Sequence, residues 1–448
     1  MDLIAQMNEK VEAEYCRRTP RSRASHANAK RFMPGGDTRT VTAFQPYPIC
    51  VAEGCGCTLT DIDGNRYLDL VNNYTALVHG HAHPSIVQAI TFQLARGTGY
   101  ATSTLAQSAL AQVLCERVAG IERVRFCNSG TEATMFAIRA AKAFTGRNKV
   151  LKMEGGYHGT HDVAQVSVAP ALTLAGPDNW PVPIPSTGAF RGIVDEVIVA
   201  PFNDMDAMRH IIEVHSNETA AIIVEPVLGS AGMIPAEVEF LKGLRDQASQ
   251  FGMLLIFDEV VTFRLGYGGA QEIYGVRPDL TVLGKLIGGG LAVGAFGGRT
   301  DVMALFDPFT GNLSHSGTFN GNELTMVAGL AALELLSATE IARINLLGDR
   351  LRDGIQRISG RSKLPLQVTG RGSLLQLHLS NATIRDYRTA ANSERARLHI
   401  LHLAMLNRGV SIAPRGLMCI STPMSECEMD TVVEVLGDVV SEMEEVLA

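Results

Sequence analysis

Between about residues 85 and 300 the chain alternates short, uninterrupted apolar runs with longer amphipathic ones. The apolar runs are Val124-Cys127, Lys149-Lys152, Ala220-Val224, Leu254-Phe257 and Leu280-Leu283. Helical patterns such as Glu132 to Phe144 and Ala236 to Gln250 lie between them. This alternation predicts an α/β fold, a mainly parallel sheet covered by helices on both faces. In such sheets ligands sit beyond the C-terminal ends of the strands. The residues that follow each apolar run are therefore where chemistry is sought.

The 448 residues suggest two to three domains, and no internal repeat stands out. The chain opens on a polar helical stretch to about Phe32, broken by Pro34-Gly35-Gly36. Ile49 to Leu70 read as short strands around a turn at Asp61-Ile62-Asp63-Gly64-Asn65. That turn is no EF-hand: its Gly falls too early and the closing position is Asn72, not Glu. After about residue 325 a long helix, Thr325 to Ser337, leads to a second α+β region that closes on an amphipathic helix from about Asp430 to Leu447. The expected division is an N-terminal segment, residues 1–70, a large domain, residues 71–324, and a C-terminal domain, residues 325–448.

With 46% hydrophobic and 19% charged residues the chain is not disordered. A net charge of −7 argues against a broad nucleic-acid face or an anionic membrane as partner. The eight cysteines are scattered without a C-x2-C pair and are read as free thiols. There is no early apolar segment of signal-peptide type and no run of about 18 apolar residues, so a cytoplasmic protein is expected.

Three strand ends carry suggestive residues. Cys127 runs into Asn128-Ser129-Gly130-Thr131-Glu132 and then a helix. Small residues and free N–H groups at a helix start suit a phosphate, although Ser and Thr there are commonly plain N-caps. No P-loop and no G-x-G-x-x-G opening a helix is present. Phe257 is followed by Asp258, an acid that is costly at a buried strand end unless paired or used. Leu283 is followed by Gly284-Lys285 and a Gly run. A desolvated lysine there becomes a nucleophile, although a lone strand-end lysine is ordinarily solvated. Together the three fit pyridoxal phosphate (PLP), which needs a phosphate cradle, a lysine for its aldehyde and a carboxylate for its ring nitrogen.

The chain resembles the class III (ω-type) aminotransferases of PLP fold type I, a group that includes glutamate-1-semialdehyde aminomutases. The resemblance runs from about Phe32 to the final helix. It rests on Gly80-His81-Ala82-His83-Pro84, Ser129-Gly130-Thr131-Glu132-Ala133, Gly155-Gly156-Tyr157-His158-Gly159, Glu225-Pro226, Asp258-Glu259-Val260, Gly284-Lys285 and Ser316-Gly317-Thr318-Phe319. It implies a large domain with a mainly parallel seven-stranded sheet, and a smaller α+β domain built from N- and C-terminal segments. It implies that Lys285 binds the cofactor covalently and shuttles the substrate proton, and that Asp258 pairs with the ring nitrogen. Tyr157 and Val260 would cover the two ring faces, with Glu225 close by. Ser129, Gly130 and Thr131 would form the phosphate cradle, and Thr318 would reach the phosphate of the neighbouring subunit in a homodimer with shared active sites.

The segments Val302 to Pro308, Ser314 to Asn320 and Asp258 to Arg264 are similar in particular to those of aminotransferases acting on β-phenylalanine. This resemblance implies transfer from a β-amino acid to 2-oxoglutarate or pyruvate. Arg39 and Arg415 would bind substrate carboxylates, as suits planar guanidinium forks; surface salt bridging is the plainer alternative. Aminomutases typically read S-P-V-R-A-F where this chain reads Arg39-Thr40-Val41-Thr42-Ala43-Phe44. Their arginine is thus replaced by Thr42, and another appears three residues earlier. An aminomutase or amino-acid racemase of the same fold remains an alternative. A zinc hydrolase using His79, His81 and His83, or His158, His161 and Asp162, is a remote one, without an H-E-x-x-H motif. No metal is expected.

Overall fold

The computed structural model describes residues 3–447. The chain forms two compact units. One comprises Pro84–Ala342 and a short returning segment, Ile384–Ala391. The other gathers the chain before Pro84, Arg343–Thr383 and the chain from Asn392 onward. The divisions thus fall at 83/84 and 342/343, where the sequence suggests 70/71 and 324/325.

The first unit is built on a seven-stranded sheet: β1 Arg123–Cys127, β2 Lys149–Met153, β3 Val197–Ala200, β4 Thr219–Val224, β5 Leu254–Asp258, β6 Leu280–Gly284 and β7 Gly294–Gly298. The spatial order is β1-β7-β6-β5-β4-β2-β3, with only β7 antiparallel to its neighbours. β3 and β7 were not singled out as strands by their sequences. Alternation across the sheet divides the core. Ile222, Val224, Leu255 and Phe257 pack on one face, under the helices Met205–His215 and Val238–Phe251. Ala221, Ile223, Leu254 and Ile256 pack on the other, under Gly130–Thr145. Both faces are buried, so the strands read as continuous apolar runs. Each of these Val, Leu, Ile and Phe side chains contributes about 1.5–3 kcal/mol by leaving water. The parallel direction brings the C-terminal ends of β1, β2, β4, β5 and β6 to one edge.

In the second unit, Val51–Cys55, Thr58–Asp61, Arg66–Asp69 and Val410–Ser411 form one sheet. Leu366–Arg371, Leu374–Leu379 and Leu417–Cys419 form another. The Asp61–Asn65 turn closes on itself: Asp61 accepts N–H bonds from Asp63 (3.0 Å) and Asn65 (2.8 Å) and the Tyr67 hydroxyl (2.7 Å). Asp63 in turn caps the helix Pro20–Ala29 through the N–H groups of Arg21 (2.6 Å) and Ser22 (2.9 Å). The closing helix spans Glu426–Leu447, one turn longer than its apolar pattern suggests. Among the described residues no single helix is long and apolar enough to cross a membrane.

Candidate active site

The loop after β1 makes an anion-ready helix start. Ser129 caps Gly130–Thr145, its Oγ accepting the Glu132 N–H at 3.2 Å. Glu132 reaches back to the N–H of Asn128 (2.8 Å), one residue earlier than in a standard capping box. The N–H groups of Gly130 and Thr131 belong to the first turn, where no intrahelical acceptor exists and the helix dipole favours an anion. Gly130 is closely packed: a Cβ there would lie 3.2 Å from a Val260 methyl, which would have to shift by a few tenths of an ångström. Gly159 holds φ +102°, and a Cβ on it would come within 2.6 Å of Thr131 Cα. The loop after β2 is therefore laid directly on the helix start, where the Thr160 N–H donates to Thr131 Oγ1 at 3.2 Å.

Asp258 ends β5 and is buried. Its Oδ2 meets His158 Nδ1 at 2.8 Å and its Oδ1 accepts the Val260 N–H at 3.1 Å. Two carboxylate oxygens can accept more than these, so Asp258 retains capacity for another donor. His158 Nε2 is buried without a hydrogen-bond partner. Glu225, just past β4, is also buried; its Oε1 takes the Tyr157 N–H (2.9 Å) and its Oε2 the Gly229 N–H (3.1 Å). Burial, with the Asp258 charge nearby, pushes the Glu225 carboxyl up, against the pull of His158 and the two N–H groups.

Tyr157 itself is partly exposed, and its loop is held from beneath. Lys152, within β2, is buried and donates to the carbonyls of Gly156 (2.9 Å) and Val166 (2.5 Å). Burial lowers its ammonium to about 7, opposed by Glu225 and Glu154. Glu154 takes a two-pronged bond from Arg388 (2.7 and 3.0 Å) on the returning segment.

Lys285 follows β6 with φ +49°. A non-glycine residue held there stores roughly 1–3 kcal/mol, a strain often found at functional positions. The turn Lys285–Gly288 is pinned at Gly289, where a Cβ would lie 2.4 Å from the Ala328 carbonyl. A Cβ on Gly284 would meet Val260 at 3.4 Å. Val260 is thus packed between two glycine backbones, one in the anion cradle and one beside the lysine. Thr318 is exposed, on a loop tied to the end of β1 by a 2.9 Å bond from Asn128 Nδ2 to Asn320 Oδ1. A helix start shaped by glycine, a buried carboxylate with spare acceptor capacity and a strand-end lysine fit a phosphorylated aldehyde with a basic ring nitrogen.

The two arginines singled out from sequence lie together in the second unit. The Arg39 guanidinium sits 5.3 Å from the centroid of the Tyr74 ring and that of Arg415 5.7 Å from the same centroid. Arg39 Nη1 also donates to Asn73 Oδ1 at 2.6 Å. Asp37 accepts the Thr38 N–H (2.6 Å) and the Thr42 hydroxyl, fixing the turn that presents Arg39. Arg415 lies in a turn closed by Gly416 N–H to Ala413 carbonyl (2.8 Å). Tyr74 is placed by an unusual backbone. Asn72, Asn73, Tyr74 and Thr75 hold φ of 47°, 50°, 54° and 76°, a left-handed turn that L-residues resist. The Tyr74 hydroxyl donates to the Val41 carbonyl.

His79, His81 and His161, three of the zinc-ligand candidates, are engaged otherwise. His81 bonds Asp69 at 2.7 Å, His79 bonds Thr422 at 3.1 Å, and His161 caps a short helix at Asp162–Gln165. Sequence reasoning passed over His158 as an Asp258 partner, and over Tyr74 and Lys152. A lone lysine inside Val150-Leu151-Lys152-Met153 was the available signal for the last.

The model of the family described as "Aminotransferase class-III" matches residues 41–438. A β-phenylalanine transaminase from Variovorax paradoxus is 40% identical over 419 residues, 93% of this chain and 92% of that protein. A glutamate-1-semialdehyde 2,1-aminomutase from Methanothermobacter thermautotrophicus is 41% identical over 392 residues, covering 87% and 91%. A solved structure described as a transaminase with PLP bound superposes with a TM-score of 0.88 at 36% identity, covering 95% and 98%. The fold and strand-end site define a fold type I, PLP-dependent aminotransferase. The chain belongs to the class III aminotransferase family. The zinc-hydrolase alternative yields to this assignment.

Proposed function

We propose that the enzyme moves the amino group of a β-amino acid resembling β-phenylalanine to 2-oxoglutarate or pyruvate, as a homodimer with shared active sites. The observation that carries the substrate reading is the pair of guanidiniums gathered on Tyr74. Two cations beside one ring repel each other, and a substrate carboxylate relieves that repulsion while accepting charge-assisted bonds. Thr42, standing where aminomutases carry arginine, supports the same reading.

When bound, PLP supplies an aldehyde for the amino group and a protonated ring that accepts the electron pair released at carbon. The Gly130 and Thr131 N–H groups, with Ser129 shaping the turn, hold the phosphate. Asp258, oriented by His158, keeps the proton on the ring nitrogen. Tyr157 and Val260 would cover the ring faces, and Glu225 fixes the Tyr157 backbone. Lys285 Nζ would take the proton from the amine-bearing carbon and deliver it to the carbon of the cofactor's aldehyde, and would run the reverse transfer with the oxo acid. Thr318 completes the phosphate site of the neighbouring copy. The exposed side chains of Phe92, Leu105, Phe309 and Phe319 support a subunit that buries part of this surface in a dimer.

The reading predicts that purified holoenzyme consumes β-phenylalanine only when an oxo acid is present, forming glutamate or alanine in equal amount. Isomerisation of glutamate-1-semialdehyde without β-phenylalanine turnover would instead establish an aminomutase. A second expectation concerns acceptor choice, because 2-oxoglutarate brings an additional carboxylate. Arg415→Ala is expected to raise the KM for 2-oxoglutarate about tenfold or more, the scale of one lost charged hydrogen bond. Pyruvate is expected to change little. Equal losses for both acceptors refute this role of Arg415.

A further inference from the structure

We infer that His402 is a positioning residue for substrate carboxylates, acting by holding the two arginine-bearing segments against each other. The inference rests on the proposed role of Arg39 and Arg415. His402 lies on the helix Arg395–Asn407 and is buried. Its Nδ1 stands 3.0 Å from the Ile412 carbonyl. A carbonyl only accepts, so Nδ1 carries the hydrogen and donates. Ile412 is three residues before Arg415 and directly precedes the turn that presents it. The ring also packs on Phe44, centroid to centroid 4.6 Å at 80°, an edge-to-face pair. Phe44 closes the Arg39 to Phe44 segment. One imidazole therefore touches both strips of chain that deliver guanidiniums to Tyr74.

His402 Nε2 is buried with no hydrogen-bond partner. Such an atom costs stability, and an apolar residue of similar shape would avoid the cost. Burial, with His399 nearby, holds the imidazole down at about 3, so it stays neutral across physiological pH. It is thus neither a charge partner nor a switch. What histidine offers over Leu or Phe is one donor to the Ile412 carbonyl; what it offers over Asn is the flat ring against Phe44. Small displacements of binding groups weaken recognition strongly, so loosening either contact is expected to show first in carboxylate affinity.

Two variants separate the contacts. His402→Phe keeps a ring and removes the donor. His402→Asn keeps a donor near the Nδ1 position and removes the ring. In holoenzyme, calorimetric titration with 3-phenylpropionate reports the carboxylate site without turnover. The decay of visible cofactor absorbance with methoxyamine, which has no carboxylate, reports the cofactor site. Both variants are expected to weaken 3-phenylpropionate and raise the KM for 2-oxoglutarate about three- to tenfold. The methoxyamine rate and kcat at saturation are expected to stay within about twofold of the parent. Equal changes with methoxyamine would reduce His402 to a general structural residue and overturn the inference, as would unchanged 3-phenylpropionate binding in both variants. Arg39→Ala and the Arg39→Ala/Arg415→Ala double variant are titrated alongside. If they leave 3-phenylpropionate binding intact, the carboxylate reading itself fails. If they weaken it and the His402 variants do not, only the role of His402 fails.

Discussion

Lys285→Ala is expected to lower turnover of β-phenylalanine with 2-oxoglutarate by about a thousandfold or more, the upper range for losing a proton-transferring side chain. Lys285 is held with φ +49° at the end of β6, between Gly284 and the pinned Gly289. Its amine has two tasks in the proposed reaction, covalent attachment and proton transfer at carbon. The tasks separate experimentally. If proton transfer dominates, an added small primary amine should restore part of the activity in proportion to its concentration and basicity. The variant should still bind cofactor, because the helix start at Gly130 and the Asp258 carboxylate are untouched. Wild-type turnover in Lys285→Ala, measured as glutamate formed, would sink the mechanism. Retained cofactor with lost turnover, recovered by amine, is the expected pattern.

Much of the first unit was legible because buried parallel strands are continuous apolar runs. Leu254-Phe257 and Ala220-Val224 fall within β5 and β4 for that reason. β7 was not legible. Its sequence, Gly294-Ala295-Phe296-Gly297-Gly298, has none of the β-branched residues that mark strands. Its glycines answer a packing demand: a Cβ on Gly294 would lie 2.0 Å from the Ser129 carbonyl, and one on Gly298 2.2 Å from that of Asp279. Such close approach between backbones comes from the assembled sheet, not from local propensity. In the second unit the histidines His79, His81 and His83 suggest a strand with three imidazoles on one face. The chain instead turns there through Gly80 (φ +68°) and Ala82 (φ +50°). His79 and His81 thus find hydrogen-bond partners by tertiary placement, and the His83 ring packs against that of His79.

Most of the residues proposed for the cofactor could be read from sequence because they lie at or just after strand ends, where a motif's spacing survives. Their supports were not. His158 reads as a metal ligand beside His161 and Asp162 until the β2 and β5 ends are known to be near each other. The arginines were legible as charges, but their meeting point was not. Tyr74 sits in Asn72-Asn73-Tyr74-Thr75, and only Asn is at ease in a left-handed turn. The turn is stabilised from outside its own residues. Asp69 Oδ1 accepts the Val71 and Asn72 N–H groups (2.8 and 3.1 Å), and Asn72 Nδ2 donates to the Cys419 carbonyl (2.9 Å). A segment 347 positions away thus helps fix the conformation, and no local pattern could reveal that.

Asp258→Asn is the second substitution expected to be severe, and it tests charge rather than shape. Asparagine has nearly the same volume and can keep the Val260 N–H bond, so packing at the end of β5 survives. What is lost is the negative charge proposed to stabilise a protonated ring nitrogen inside a buried site. There Coulomb interactions are far stronger than in water. The expected fall in kcat is about a hundred- to a thousandfold, the scale seen when one preorganised electrostatic group is removed. His158 makes the loss sharper: its Nδ1 donates to the carboxylate at 2.8 Å, and a donor aimed at an amide can orient it but cannot restore its charge. His158→Asn, which leaves Asp258 charged, should therefore cost much less than Asp258→Asn. Reconstitution of Asp258→Asn with a ring-N-methylated cofactor, whose positive charge needs no carboxylate to retain it, should recover a large part of the loss. Recovery fails if Asp258 acts only by positioning, and near-parental kcat in Asp258→Asn with ordinary cofactor would remove the charge from the mechanism altogether.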